Sequence, residues 1–173
     1  HDITLDSKTK HKGFVALANS MDVVGGTYEC GFPYDCFQSE QVITFRHWLI
    51  YASSLPDIPF LQIDLKTGNG QTEAMTDSLL KLMVSQLLET KYPLDKVIAI
   101  SGVQAIILKL INLHPDLMIA YEPGDFHKGL PWVLENKCKY LIIDQRFLTS
   151  ENVKSAHANG IGIIAMGGRS KSS

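Results

Sequence analysis

Five short apolar runs recur along the chain, and they restrict its possible folds more than any other feature. The runs are rich in Ile, Leu and Val and do not alternate with polar residues. That pattern is typical of strands that are buried on both faces of a parallel sheet. The predicted strands are Phe60–Leu65, Val97–Ile100, Leu117–Tyr121, Tyr140–Ile143 and Ile161–Ala165.

Helical patterns separate most of these strands. Apolar residues recur at helical spacing from Met75 to Leu87 and from Val103 to Ile111, and a weaker helix is predicted around Trp132. A further helix is predicted from about Ser39 to Ser53, whereas residues 1–40 are predicted to be irregular. Strands joined by crossover helices are typical of right-handed βαβ units.

The number of strands leaves two folds open. A closed (β/α)8 barrel needs eight strands and about 250 residues, whereas this chain has 173 residues and five predicted strands. The chain is therefore an incomplete TIM-barrel-like fold that lacks its first strands, or an open doubly wound sheet. Its length favours a single domain over residues 1–173 in either case.

Composition excludes some classes of protein. A net charge of −2 without a basic stripe argues against nucleic-acid binding. No run approaches the roughly 18 apolar residues of a membrane span. The odd number of cysteines, with no CxxC, slightly favours a reducing compartment such as the cytoplasm. Cys30 and Cys36 could instead close a small disulfide loop in an oxidising one.

Candidate site residues follow the strands, because both folds bind ligands at the carboxyl ends of parallel strands. Strand alternation points Asp64 and Lys66 to one face. Buried charges on a strand are costly unless they are paired or metal-bound, so the two residues are a candidate site or a simple ion pair. The other strand-end candidates are Ser101, Glu122, Asp144 and Met166-Gly167-Gly168.

The first thirteen residues, HDITLDSKTKHKG, resemble the HD-x-T-L-x-R-T-T-x-x-x-G segment of the glycerophosphodiester phosphodiesterase family. The resemblance implies that His1 is a catalytic acid/base at the end of a barrel strand. An imidazole suits this role because it titrates near neutral pH. The match departs from the pattern at Ser7-Lys8-Thr9, where the family has Arg-Thr-Thr.

The segment from Gln62 to Thr67 resembles the family's I-E-L-K-T strand. By that resemblance, Asp64 binds a divalent cation (Mg²⁺ or Ca²⁺) and Lys66 contacts the phosphate. Asp64 stands where the family usually has the longer Glu. Leu113–Tyr121 also matches a family segment, but the final strand ends in Ala165-Met166-Gly167-Gly168 where the family has W-T-V-N.

The resemblance implies hydrolysis of glycerophosphodiesters to glycerol 3-phosphate and an alcohol. The family's second catalytic His and its Glu-x-Asp metal ligands have no counterpart in this sequence, so we expect the chain to be a poor enzyme. A sphingomyelinase-D-like phospholipase would share the barrel. Other hypotheses are a non-catalytic interaction module that self-associates through an exposed sheet edge, and an open α/β domain that binds a phosphate. The Gly167–Lys171 segment could bind such a phosphate, although a flexible polar tail fits it better.

Overall fold

The computed structural model describes Leu5 and residues 12–27, 41–68 and 70–167. The chain divides into two compact units, one of residues 1–59 with 66–93 and one of residues 60–65 with 94–173. The helices of the described residues are α1 (Ser20–Val23), α2 (Phe45–Ser53), α3 (Glu73–Glu89), α4 (Gln104–Leu113), α5 (Phe126–Glu135) and α6 (Ser150–Ala158).

The second unit contains a five-stranded parallel sheet, and all five predicted strands are confirmed to within one residue at each end. The strands are β1 (Leu61–Asp64), β2 (Val97–Ser101), β3 (Met118–Tyr121), β4 (Tyr140–Asp144) and β5 (Gly162–Met166). They lie side by side in chain order. A doubly wound sheet reverses its strand order at a switch point, so that alternative is wrong. The sheet is an incomplete TIM-barrel-like fold with helices between its strands.

One face of the sheet carries an apolar cluster of buried residues. Ile98, Ile100, Ala120 and Ile142 form its centre, and Met118, Tyr140 and Ile164 pack against it. β5 begins with a glycine because a Cβ on Gly162 would lie 2.5 Å from the Tyr140 ring. Strand partners in a parallel sheet point to the same face, so the register of each strand decides which polar residues share this face.

Two helices of the sheet unit, α5 and α6, begin at side-chain caps. Asp125 accepts a hydrogen bond from the Lys128 N–H at 3.0 Å and starts α5. Phe126–Lys128 therefore form the first turn of this helix. Thr149 caps α6 by accepting the Asn152 N–H at 3.1 Å. A side-chain oxygen in this position satisfies an N–H group that the helix itself leaves unpaired.

The first unit contains α2 and α3. Tyr92 contacts two other segments of this unit. Its ring lies 6.1 Å from that of Trp48, and its hydroxyl donates to the Pro59 carbonyl at 2.6 Å. An ion pair joins Arg46 of α2 to Glu89 of α3. Among the described residues, none of the helices combines the length and the apolar composition that a membrane span requires.

Two predictions for the first unit need correction. The helix predicted from Ser39 begins at Phe45, because Thr44 is extended and accepts the His47 N–H at 3.2 Å. Residues 12–27, predicted to be irregular, contain α1 and a 3-10 turn. In α3 the buried face consists of Thr76, Leu80, Met83, Val84 and Leu87, whereas Met75, Leu79 and Leu82 of the predicted apolar stripe are exposed.

Gly129→Ala is expected to destabilise the protein. Gly129 is buried inside α5, and a Cβ there would lie 2.3 Å from Pro123 Cγ and 3.0 Å from Leu141 Cδ2. Overpacking costs about 1–3 kcal/mol, which outweighs the gain of about 1 kcal/mol in helix propensity. Urea denaturation measures the change. Lys154→Ala, an exposed change in α6, is the control and should stay within about 0.5 kcal/mol. An unchanged or raised stability of Gly129→Ala would contradict the packing.

Candidate functional site

Asp64 is the last residue of β1 and lies on the face that carries the apolar cluster. Its register partner is Ile100 of β2, a member of that cluster. Asp64 is half-buried, which suits a carboxylate that faces the interior of a barrel. Lys66 follows two residues later; it is exposed and belongs to the other compact unit. His1 lies outside the described residues, as do Cys30, Cys36 and residues 168–171.

Ser101, at the carboxyl end of β2, has a structural role. Its side chain is completely buried. Its hydroxyl donates to the Leu65 carbonyl at 2.9 Å and accepts the Val103 N–H at 3.1 Å. Because both hydrogen-bonding functions are satisfied within the protein, Ser101 holds the segment that follows Asp64 against the end of β2.

The carboxyl end of β4 carries a charged pair of defined geometry. Both Asp144 oxygens contact the guanidinium of Arg146: Oδ1 accepts from Nε at 2.9 Å, and Oδ2 accepts from Nη2 at 2.6 Å. The same carboxylate also accepts the backbone N–H of Arg146 at 2.9 Å, which closes the 3-10 turn Gln145–Phe147. The side-chain hydrogen bonds from Arg146, followed by its backbone hydrogen bond, lower the pKa of Asp144 to about 2.

Sequence reasoning selected Asp144 as a strand-end residue but missed Arg146. The signal available in the sequence was an Asp-x-Arg spacing directly after a buried strand. Two neighbours further define the position of Arg146. The guanidinium carbon lies 5.6 Å from the centre of the Phe147 ring. Gln145 donates from Nε2 to the Gly167 carbonyl at 3.0 Å, so the turn is also fastened to the end of β5.

Arg146→Gln is expected to raise the pKa of Asp144 toward the ordinary value of about 3.9. The pKa of Asp144 is lowered in the folded state. Its contribution to stability is therefore present above about pH 4 and is lost as the pH falls toward 2. Carbon-13 NMR of the Asp144 carboxyl measures both midpoints. A midpoint that does not move in Arg146→Gln would show that Arg146 does not contact Asp144 in solution.

The described residues do not by themselves form a divalent metal site. Among them, no group of three or more His, Cys, Asp or Glu side chains could hold a metal ion. Ca²⁺ takes six to eight oxygen ligands, and Mg²⁺ takes an octahedral set. Asp64 supplies one carboxylate, so any cation there would need ligands from outside the described residues.

A groove of about 430 Å³ lies between α5 and α6. Phe126, Leu130 and Pro131 form its apolar part, and the polar residues that line it are His127, Thr149, Glu151, Asn152 and Ser155. The lining contains none of the residues that the sequence assigned to the site.

No family model matches the sequence, and no curated protein matches it. Several solved structures, in contrast, match the fold of this chain. A phosphodiesterase from Oleispira antarctica, in complex with the product sn-glycerol-3-phosphate, is 19% identical with a TM-score of 0.79 over 99% of this chain and 67% of its own. A glycerophosphodiester phosphodiesterase from Agrobacterium tumefaciens is 14% identical with a TM-score of 0.75 over 99% of this chain and 68% of its own.

A third enzyme of this kind, from Parabacteroides distasonis, is 16% identical with a TM-score of 0.68 over 88% of this chain and 59% of its own. The chain thus spans about two thirds of the length of these structures. At identities this low, the structural likeness establishes a shared fold and nothing finer. The chain therefore has the TIM-barrel-like fold of glycerophosphodiester phosphodiesterases, over the part of that fold which it covers.

Proposed function

We propose that this chain carries part of the active site of a glycerophosphodiester phosphodiesterase, which releases sn-glycerol 3-phosphate and an alcohol. The observation that supports this proposal most is the likeness of nearly the whole chain to such enzymes, one of them bound to that product. The position of Asp64 at the carboxyl end of β1 is consistent with it, because TIM-barrel sites lie at that end.

Each proposed residue has a distinct role. His1 would move protons as the general acid or base, toward the leaving alkoxide or from the attacking water. Lys66 would bind the phosphate as a point charge on a flexible stem. Asp64 would be one ligand of a divalent cation, Mg²⁺ or Ca²⁺, which is proposed from the resemblance alone.

The proposal is tested by the binding of sn-glycerol 3-phosphate to the 173-residue chain, measured by calorimetry. Lys66→Ala should weaken binding at least about tenfold, because a charge-assisted hydrogen bond contributes about 1.5–3 kcal/mol. Lys81→Ala, an exposed change on α3, is the matched control and should have no effect. Absence of binding, or equal binding by Lys66→Ala, would contradict the proposal. Turnover of glycerophosphocholine should be low, because the family's remaining site residues have no counterpart in the sequence.

A non-catalytic module is the second candidate, and the lack of a metal-ligand group among the described residues favours it. Within the described residues, β5 pairs with β4 on one side only. It is an uncharged strand, Gly162–Met166, and such edges pair readily with other chains. Self-association through this edge predicts a dimer in light scattering. A dimer that does not bind sn-glycerol 3-phosphate would favour this candidate over the enzyme.

A further inference from the structure

We propose that Arg146 selects substrates whose alcohol half carries a carboxylate or a phosphate. This inference rests on the proposed function and adds a substrate class to it. Arg146 lies in the turn directly after β4, at the carboxyl end of the parallel sheet. That end is where barrels of this type bind their ligands.

The Arg146 side chain is held in place before any ligand binds. Asp144 contacts its Nε and Nη2 groups and its backbone N–H. The Phe147 ring lies beside the guanidinium. An exposed arginine normally loses much side-chain freedom when it binds a ligand. Much of that freedom is already removed here, so an anion can bind without first ordering the side chain.

The guanidinium also keeps donors for a ligand. Its side chain is 74% exposed. A guanidinium has five N–H groups, and the contacts with Asp144 use only the Nε and Nη2 atoms. Among the described residues, none accepts a hydrogen bond from Nη1. Carboxylates and phosphates match such an arrangement because each can accept two parallel N–H bonds.

The strand that carries Arg146 indicates which part of the substrate this residue binds. Ile142 lies two residues before Asp144, and Ile100 is the register partner of Asp64. Both isoleucines belong to the apolar cluster, so the two aspartates lie on the same sheet face. Three interstrand spacings, about 14 Å along the sheet, separate β1 from β4. Asp64 and Lys66, at the end of β1, are the residues proposed for the phosphate that is cleaved. Arg146 approaches the substrate from the end of β4, so we assign it the alcohol half of an extended diester.

Apolar surface beside Arg146 suits the carbon atoms of such an alcohol. Phe147 is 57% exposed and Met166, at the end of β5, is 43% exposed. Asp144 is the register partner of Met166, so the side chains of these two residues share one face. The strand ends thus combine an oriented cation with exposed apolar side chains.

The test compares the binding of four probes to the 173-residue chain by calorimetry. Glycerophosphoserine carries a carboxylate on its alcohol, and glycerophosphoinositol 4-phosphate carries a phosphate. Glycerophosphoglycerol has a neutral alcohol, and sn-glycerol 3-phosphate has none. We expect one or both of the anionic diesters to bind about tenfold more tightly than the neutral one, and the stronger of the two identifies the anion.

The variants separate recognition from structure. Arg146→Gln should remove the preference for anionic diesters and leave the affinity for sn-glycerol 3-phosphate unchanged, whereas Arg146→Lys should keep part of the preference. In NMR spectra of the wild type, the Nε–H signal of Arg146 should shift with the anionic probes only. If the wild type binds sn-glycerol 3-phosphate but binds all diesters with equal affinity, the role of Arg146 is refuted and the proposed function is not. Failure of every probe to bind would refute both this role and the proposed function.

Discussion

Asp64→Asn is expected to lower phosphodiester hydrolysis by at least about 100-fold in a form of the protein with a complete barrel. Such a form can be made by adding the remaining third of the Oleispira antarctica fold, of which this chain covers 67%. Residues that only support a metal ligand already contribute 10–100-fold to activity or metal affinity, and a ligand itself should contribute more. Asn keeps the size of the half-buried side chain, so the packing around β1 should survive.

The measurement is the rate of sn-glycerol 3-phosphate release at saturating Mg²⁺ or Ca²⁺, with circular dichroism as the check on folding. Asp116→Asn is the matched control, because Asp116 is exposed in the turn before β3. It should keep full activity. Unchanged turnover of the folded Asp64→Asn fusion would show that Asp64 is a structural residue at the strand end and not part of the site.

His1→Ala should reduce turnover in the same fusion by about 10²–10⁴-fold, the usual contribution of general acid–base catalysis. The loss should appear mainly in kcat rather than in KM, because proton transfer acts on the transition state and not on the bound substrate. The measurement is the dependence of both constants on pH. The limb that titrates near neutral pH should disappear with the imidazole.

His11→Ala is the control for His1, since His11 lies in the same polar segment and has no counterpart in the family pattern. It should leave the pH profile unchanged. If His11→Ala removes the neutral limb while His1→Ala keeps it, the alignment of the first thirteen residues with the family segment is wrong. His1 would then not be the catalytic acid or base.

Local errors in the predicted helices have separate physical causes. The start of α2 was misplaced because a threonine side chain decides it, and several neighbouring polar residues could have served as caps. The start of α5 was missed because Asp125 caps a turn that has little apolar periodicity. The apolar stripe of α3 was partly wrong, since Met75, Leu79 and Leu82 lie beside the buried face and not on it.

The proposed role of Arg146 depends on geometry that a sequence does not display. The 3-10 turn brings its guanidinium back onto Asp144, two residues earlier, and the register of β4 places Asp144 on the face that Asp64 shares. The Asp-x-Arg spacing alone occurs in many surface turns and does not indicate a site. In contrast, the sequence itself singles out Asp64 as a candidate, because a charged residue at the end of an apolar strand is unusual unless it is paired or bound.

The sequence by itself determined the number, direction and limits of the strands. The central strands β2, β3 and β4 are largely buried, and such strands consist of nearly uninterrupted apolar runs. The sequence also determined which residues follow those strands. Only the tertiary structure decided the order of the strands. A barrel and a doubly wound sheet use the same runs and crossover helices, and they differ only in which strands form hydrogen bonds with each other. Those pairings join residues far apart in the chain, so no local pattern records them.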